Sequence, residues 1–250
     1  MFAVVETLPL FPLGTVLLPG APLPLHIFEP RYRQMTIDLV TGAVPGKQFG
    51  VVAVREGWSP DDGLEGLHGV GCTATLREVR RLPDGRFDLL TQGDRRFRLL
   101  DVDASTAPYL VANVEWLPDD EGDGGEEPVD TEPLVIAARA AHRRYCQAAW
   151  KQRERGDDAT GTPDTTKADA AEGAEETAST APVEAAVLPH VLAADCLLPL
   201  DDRQELLEAT CPIQRLKLVR RYMTREEALL RQLHAVWAPT ARFAVERGEN

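Results

Sequence analysis

The sequence predicts an α+β protein: a mostly antiparallel β pseudo-barrel with one helix, followed by a C-terminal α-helical bundle. Three observations predict this fold class. Up to Trp116, short apolar or alternating runs are separated by glycine and proline signals, as is typical of strands. From Glu132 onward the apolar residues recur at helical spacing. An acidic run with little to bury lies between the two parts.

The opening residues 8–28 carry no charge but contain five prolines. Proline removes a backbone donor and clashes with the preceding helical turn, so a membrane-spanning helix is excluded. We expect two short buried strands instead, at 8–12 and 23–28, joined by a glycine-containing turn. Pro30 should open a helix of about 12 residues, because proline is tolerated in the first turn of a helix.

Five further strand segments are expected before residue 117. Residues 49–54 form an apolar run, and residues 72–77 alternate between apolar and polar. Leu82-Pro83-Asp84-Gly85 is typical of a hairpin turn, with the returning strand at 86–91. Alternation recurs at 96–99, and a last strand is expected at 109–116.

Helical periodicity predicts helices at 134–155, at 183–194 and from Pro212 onward. A short helix between them should be capped by Asp201 to Gln204 and end at residue 209. In the last helix, four apolar residues recur every seven positions: Leu216, Met223, Leu230 and Trp237. Packing on neighbouring helices is favoured over a coiled-coil dimer, because Glu226 breaks the partner row.

The predicted organisation is a barrel subdomain over 1–117, an acidic linker over 118–131 and a helical bundle over 132–240. The chain has a net charge of −13, to which residues 117–133 contribute −8 and residues 156–184 contribute −7, leaving the remainder at +2. A disordered acidic insertion is expected at about 156–182, since its composition cannot offset the entropy of ordering. A solvated spacer is the favoured role, with an inhibitor occupying a basic groove as the alternative.

Catalytic, cofactor and metal chemistry are not indicated. Ser59 and Ser105 occupy turn positions and Ser179 lies in low-complexity sequence, while no cysteine or histidine pair has the spacing of a metal ligand set. His26 alternates with buried positions and is expected to be structural. The free thiols and the lack of a basic leader predict a cytoplasmic protein without a signal peptide.

Three blocks of sequence carry a family resemblance. They are Leu8-Pro9-Leu10-Phe11-Pro12-Leu13 with Leu18-Pro19-Gly20 and Pro24-Leu25-His26-Ile27-Phe28-Glu29-Pro30-Arg31-Tyr32; Gly69-Val70-Gly71-Cys72-Thr73-Ala74 with Asp84-Gly85-Arg86-Phe87 and Gly93-Asp94-Arg95-Arg96-Phe97-Arg98; and Pro108-Tyr109-Leu110-Val111-Ala112-Asn113-Val114. In order and spacing the chain resembles the amino-terminal substrate-binding domain of the Lon proteases. The resemblance implies a PUA-like barrel, and the ATPase and peptidase motifs of full-length Lon proteins are not found in this sequence.

The resemblance also implies a non-catalytic protein that recognises exposed peptide segments of unfolded or damaged proteins in an apolar groove, helped by pairing along a sheet edge. The expected peptide-binding residues are Phe11, Phe28, Glu29, Arg31, Tyr32 and Arg96. Structural roles for the charged members, at the helix start and on loop carbonyls, are the alternative.

Two other functions stay open from the sequence. One is an adaptor that binds one dedicated protease or chaperone partner. The other is RNA binding by the PUA-like barrel, which is disfavoured because the arginines between Arg77 and Arg98 are interleaved with acidic residues.

Overall fold

The computed structural model describes residues 5–58, 63–120, 131–160 and 186–233. This part of the chain holds six strands and five α-helices. The strands are β1 (Val5–Leu13), β2 (Pro22–Ile27), β3 (Gln48–Ala53), β4 (Val70–Arg81), β5 (Phe87–Asp103) and β6 (Val111–Trp116). The helices are α1 (Pro30–Thr41), α2 (Glu132–Thr160), α3 (Leu188–Ala194), α4 (Leu200–Glu208) and α5 (Pro212–Leu233). The predicted α+β fold class is confirmed.

The strands follow the order β2-β5-β4-β3-β1-β6, and an additional β5–β6 pairing closes the sheet into a barrel. The β1–β3 pair is parallel and the other pairs are antiparallel. Closure depends on the length of β5, because its first half pairs with β2 and its last residues pair with β6. Register shifts in the β4–β5 and β5–β6 ladders bend the strands where this change of partner occurs.

Phe97 fills the interior of the barrel and is fully buried. Two glycines give it room: a Cβ on Gly50 would lie 2.9 Å from its ring, and a Cβ on Gly71 would lie 2.4 Å from it. Around Phe97 pack the inward side chains of the strands, namely Leu8, Leu10, Val52, Leu99, Ala112 and Val114. Any side chain larger than hydrogen at these glycines would therefore collide with the barrel core.

A second apolar cluster joins the outside of the barrel to the helices. Phe11 and Phe49 on the strands pack with Tyr32 and Met35 of α1 in this cluster. The same cluster continues into the later helices through buried residues that include Leu188, Leu206, Leu216, Val219 and Met223. The barrel and the helices are thus held together by burial of shared apolar surface.

The predicted helix α1 is reproduced residue for residue. Pro30 stands in its first turn, and Gly42 ends it in a left-handed conformation with φ of 84°. Tyr109 fixes the helix from the barrel side, because its hydroxyl donates to Asp38 at 2.8 Å.

Several boundaries differ from the sequence expectation. The segments predicted at 86–91 and 96–99 form one continuous strand, because β5 is paired along its whole length. Helix α4 begins at Leu200 with Pro199 at the N-cap, so Asp201 and Asp202 lie in the first turn instead of capping it. Both carboxylates still favour the helix start through its dipole.

Helix α2 continues through residues 156–160, which the sequence assigned to a disordered insertion. No proline occurs between Pro133 in the first turn of α2 and Pro163, so no proline ends the helix within residues 156–160. Residues 161–182 of that insertion, residues 121–130 of the acidic linker and the predicted heptad position Trp237 lie outside the described residues.

Candidate functional site

Five of the six predicted peptide-binding residues come together where β2 passes into α1. Phe28 is 61% exposed there, and the carboxylate of Glu29 accepts hydrogen bonds from Arg31 at 2.8 and 2.9 Å. The Arg31 guanidinium lies 4.6 Å from the centre of the Tyr32 ring. We call Phe28, Glu29 and Arg31, with the neighbouring His26, the helix-start surface.

Phe11 and Tyr32 support this surface from below. Their rings lie 4.1 Å apart, and each residue is at most 7% exposed. Burial raises the pKa of the Tyr32 hydroxyl, so it stays protonated at neutral pH. The two aromatic rings therefore hold the helix start rigid and are not themselves open to a ligand.

The surface continues over the outer face of β2 and β5. His26 stacks on Phe28 with 6.4 Å between ring centres, and its Nδ1 lies 2.8 Å from Asp88. Arg80 pairs with Asp88 at 2.5 Å, and hydrogen bonds from His26 and Arg80 lower the pKa of the Asp88 carboxyl. The exposed His26, which the sequence indicated as structural, thus belongs to the surface beside Phe28.

The outer edge of β2 is poorly suited to adding another strand. Gly93 donates its N–H to the Ala21 carbonyl at 2.9 Å. In this register the backbone N–H and C=O groups of the odd-numbered residues of β2 point towards β5. Pro22 and Pro24 then face the other edge, where they offer no N–H. The expected sheet-edge pairing is not favoured at this strand, and the helix-start surface must bind through side chains.

Arg96, the sixth predicted residue, lies elsewhere. Its side chain is 4% exposed, and its guanidinium donates to the carbonyls of Leu207 and Ala209 at 2.8 and 2.7 Å. It also pairs with Asp119 at 2.5 Å. Arg96 therefore joins the barrel to the end of α4 and does not belong to the helix-start surface. Spacing along the sequence did not reveal this, since its acceptors lie far along the chain.

A cavity of about 320 Å³ lies between the barrel and the helices, next to Arg96. Its wall includes the indole of Trp116, over which the Arg95 guanidinium lies at 3.8 Å from the ring centre. The other lining residues are Pro19, Asp94, Arg96, Leu117, Pro118, Asp119, Ala186, Val187, His190 and Arg215. The sequence carried no signal for this cavity, because its wall is assembled from five separate parts of the chain.

Two buried nitrogens in the cavity wall lack a partner among the described residues: Nδ1 of His190 and Nε of Arg215. Nε2 of His190 lies 3.3 Å from the Leu206 carbonyl, so it carries the proton. Burial, and next the charge of Arg215, lower the pKa of His190 to about 3. His190 is consequently neutral, with Nδ1 as an unused acceptor beside the unused donor of Arg215.

Cys146, His142 and Asp195 form a cluster between α2 and the end of α3. The Cys146 sulfur lies 3.5 Å from Nε2 of His142, and the Asp195 carboxylate lies 3.4 Å from the same nitrogen. A nucleophile–base–acid relay uses the two different ring nitrogens, so this arrangement is not one. The hydrogen bond to Asp195 raises the pKa of His142 to about 9, which makes the cluster an ion pair.

The described residues contain no group of three or more His, Cys, Asp or Glu side chains placed to hold a metal ion. Within the same residues, no helix has the length and apolar character to cross a membrane. Ser105 donates its hydroxyl to Asp103 in a turn, and Ser59 and Ser179 lie outside the described residues.

The arginines that suggested RNA binding are largely occupied. Arg80, Arg86, Arg96 and Arg98 each pair with an acidic side chain, and Arg77 donates to Gln92. Paired arginines contribute little to the field that attracts a phosphate backbone. The pairing of these arginines thus does not favour a nucleic-acid interface at this part of the barrel.

The closed barrel, its single helix and the following helices define an α+β binding module with a side-chain surface at the start of α1. The family model for the substrate-binding domain of ATP-dependent protease La (LON) matches residues 7–225. The chain belongs to this family.

Curated relatives agree with the family. Lon protease 2 of Myxococcus xanthus is 29% identical over 232 residues, which cover 90% of this chain and 24% of that protein. The Lon protease of Parabacteroides distasonis is 35% identical over 120 residues, or 47% of this chain and 14% of the relative. The chain thus spans about a quarter of the length of the Myxococcus relative.

Solved structures share the fold. The crystal structure of a Lon N-terminal domain protein from Xanthomonas campestris has a TM-score of 0.55 at 23% identity, covering 87% of this chain and 99% of that one. The N-terminal domain of a Mycobacterium avium complex Lon protease has a TM-score of 0.53 at 16% identity, with 88% and 98% covered.

Proposed function

We propose that this protein binds exposed segments of unfolded or damaged polypeptides at the helix-start surface, without hydrolysing them. The observation that carries the proposal is the exposure of Phe28, at 61%, beside a charged pair on a rigid support. The family is described by substrate binding, which supports a polypeptide ligand. The proposal is limited to binding and does not include the proteolytic activity of the full-length relatives.

Phe28 supplies the apolar contact. Burying a phenylalanine side chain contributes about 1.5–3 kcal/mol, and the partner gains a similar amount from its own apolar residue. The tilted, closely packed rings of Phe11 and Tyr32 beneath the helix start keep the backbone in place, so little ordering entropy is lost on binding. An apolar segment released by unfolding meets these conditions.

Glu29 and Arg31 supply a polar rim. Both are partly exposed, with side-chain exposures of 39% and 32%, so a bound segment can exchange hydrogen bonds with them at its edges. The pair leaves no net charge beside Phe28. We infer a ligand chosen by apolar character more than by charge.

The test measures binding of the full chain to a model protein that has been reduced and alkylated and whose carboxyl terminus is amidated. Fluorescence anisotropy reports the binding. Phe28→Ser should weaken binding by about tenfold, which corresponds to about 1.4 kcal/mol. Ile136→Ser is the matched control, because Ile136 on α2 is 59% exposed. Equal binding by Phe28→Ser and the unsubstituted chain, or no binding at all, overturns the proposal.

The same assay separates this function from the adaptor alternative. An adaptor would hold one folded partner at fixed stoichiometry, and excess unfolded protein would not displace it.

We also propose a cytoplasmic location, since Cys72, Cys146, Cys196 and Cys211 are all free thiols, which suits a reducing compartment.

A further inference from the structure

The cavity beside Trp116 has features that the helix-start surface does not explain. It is open on one side, and its volume of about 320 Å³ is enough for one or two side chains. Trp116, Leu117, Pro118 and Val187 give it a largely apolar wall. A ligand here must therefore present an apolar body of about one residue.

Arg95 places a positive charge at the cavity. It is exposed, its guanidinium carbon lies 3.8 Å from the centre of the Trp116 ring, and none of the ion pairs among the described residues includes it. Stacking on the indole fixes the direction of the guanidinium without using its hydrogen-bond donors. An anionic group beside the apolar body would meet these donors.

The floor of the cavity is also short of negative charge. Arg96 and Arg215, both buried, share the single carboxylate of Asp119. Burial, and next the nearby charge of Arg215, lower the pKa of Arg96. Asp94 also lines the cavity, so Arg95, Arg96 and Arg215 are matched by two carboxylates, and the carboxylate of a ligand would balance the remaining positive charge.

The two unpartnered nitrogens fit the same kind of ligand. Among the described residues, Nε of Arg215 has no acceptor and Nδ1 of neutral His190 has no donor; both atoms are buried, and both residues line the cavity. Unmet hydrogen bonds of buried atoms cost free energy that a ligand's polar groups would recover. A peptide residue with a free carboxylate offers an acceptor for the arginine and an N–H for the histidine.

We propose that this cavity binds the carboxyl-terminal residue of a polypeptide, with its apolar side chain against Trp116 and Val187 and its carboxylate on Arg95. A terminal apolar residue meets both requirements, because its carboxylate and its apolar side chain are attached to the same Cα atom. Asp or Glu within a chain has a carboxylate but no apolar body. The inference rests on the proposed function, since it names a feature that selects among polypeptide ligands.

The experiment compares two fluorescent peptides that end in leucine, one with a free carboxylate and one amidated, on the full chain. The free acid should bind about ten times more tightly than the amide. Arg95→Gln should remove this preference. Arg98→Gln should keep it, because Arg98 lies on the same strand, is exposed, and is 3.9 Å from Glu115.

Equal affinity for acid and amide, or a preference that survives Arg95→Gln, overturns the proposal. If N-acetyl-leucine binds with the same Arg95 dependence while neither peptide binds, the site serves small carboxylic acids and the polypeptide assignment is wrong. The amidated unfolded reporter separates the two proposals. If its binding still depends on Phe28 while the acid preference is absent, only the cavity proposal fails.

Discussion

The buried Arg96 guanidinium and the partly exposed Asp119 carboxylate lie 2.5 Å apart in an ion pair that ties β5 to the chain leading away from β6. Arg215 of α5 binds the other carboxylate oxygen. Because Arg96 also donates to two carbonyls at the end of α4, its side chain connects the barrel to α4 directly and to α5 through Asp119. Stability at this junction depends on that side chain.

Arg96→Leu should lower the free energy of unfolding by about 3–5 kcal/mol, because it leaves the carbonyls of Leu207 and Ala209 without their donor and removes one of the two arginines that bind Asp119. Urea denaturation of the full chain measures this. Arg98→Leu, at an exposed position two residues away, should change stability by no more than about 0.5 kcal/mol. Similar losses in both variants would show that the Arg96 ion pair has no special role.

Gly71→Ala should destabilise the barrel by about 1–3 kcal/mol, since the new methyl group would lie 2.4 Å from the Phe97 ring and 2.5 Å from the Val51 carbonyl oxygen. Gly69→Ala is the control, as a Cβ there meets nothing within 4 Å. Thermal unfolding of the two variants makes the comparison. A Gly71→Ala protein as stable as Gly69→Ala would contradict the close packing of Phe97.

His142 should make stability depend on pH. Its pKa is raised to about 9 in the folded protein, so the ion pair with Asp195 stabilises fully below the unfolded pKa of about 6.5. That contribution is lost as the pH rises from about 6.5 through 9. Because Asp195 is 65% exposed, we expect a loss of only about 1 kcal/mol.

The measurement for His142 is the free energy of unfolding at pH 6 and at pH 9.5. His142→Gln should show a smaller fall between these values than the unsubstituted chain, because glutamine does not titrate. An identical fall in both proteins would mean that His142 is not paired in solution.

Replacing Pro22 and Pro24 with threonine should promote self-association. The substitution supplies N–H donors at the outer edge of β2, and an edge with free donors pairs with other chains. Size-exclusion chromatography over a range of concentrations detects the change. Pro83→Thr, in the exposed hairpin turn, should leave the protein at its original size, and an unchanged size for the double variant would refute the protective role.

Local sequence was sufficient wherever the deciding interactions lie within a few residues. Pro30 and Gly42 determine the limits of α1, because both act on their own backbone angles. Alternation located the strands for the same reason, and motif order identified the family. Local sequence also grouped Phe28, Glu29 and Arg31, since neighbours in sequence at a helix start stay neighbours in space.

Tertiary structure alone decided the rest. The burial of Arg96, the pairing of His142 with Asp195 and the cavity at Trp116 depend on residues that are tens of positions apart. The β5–β6 closure likewise needs the whole barrel. Such contacts are selected by the joint packing of the core, and periodicity or propensity, which describe one segment at a time, carry no information about them.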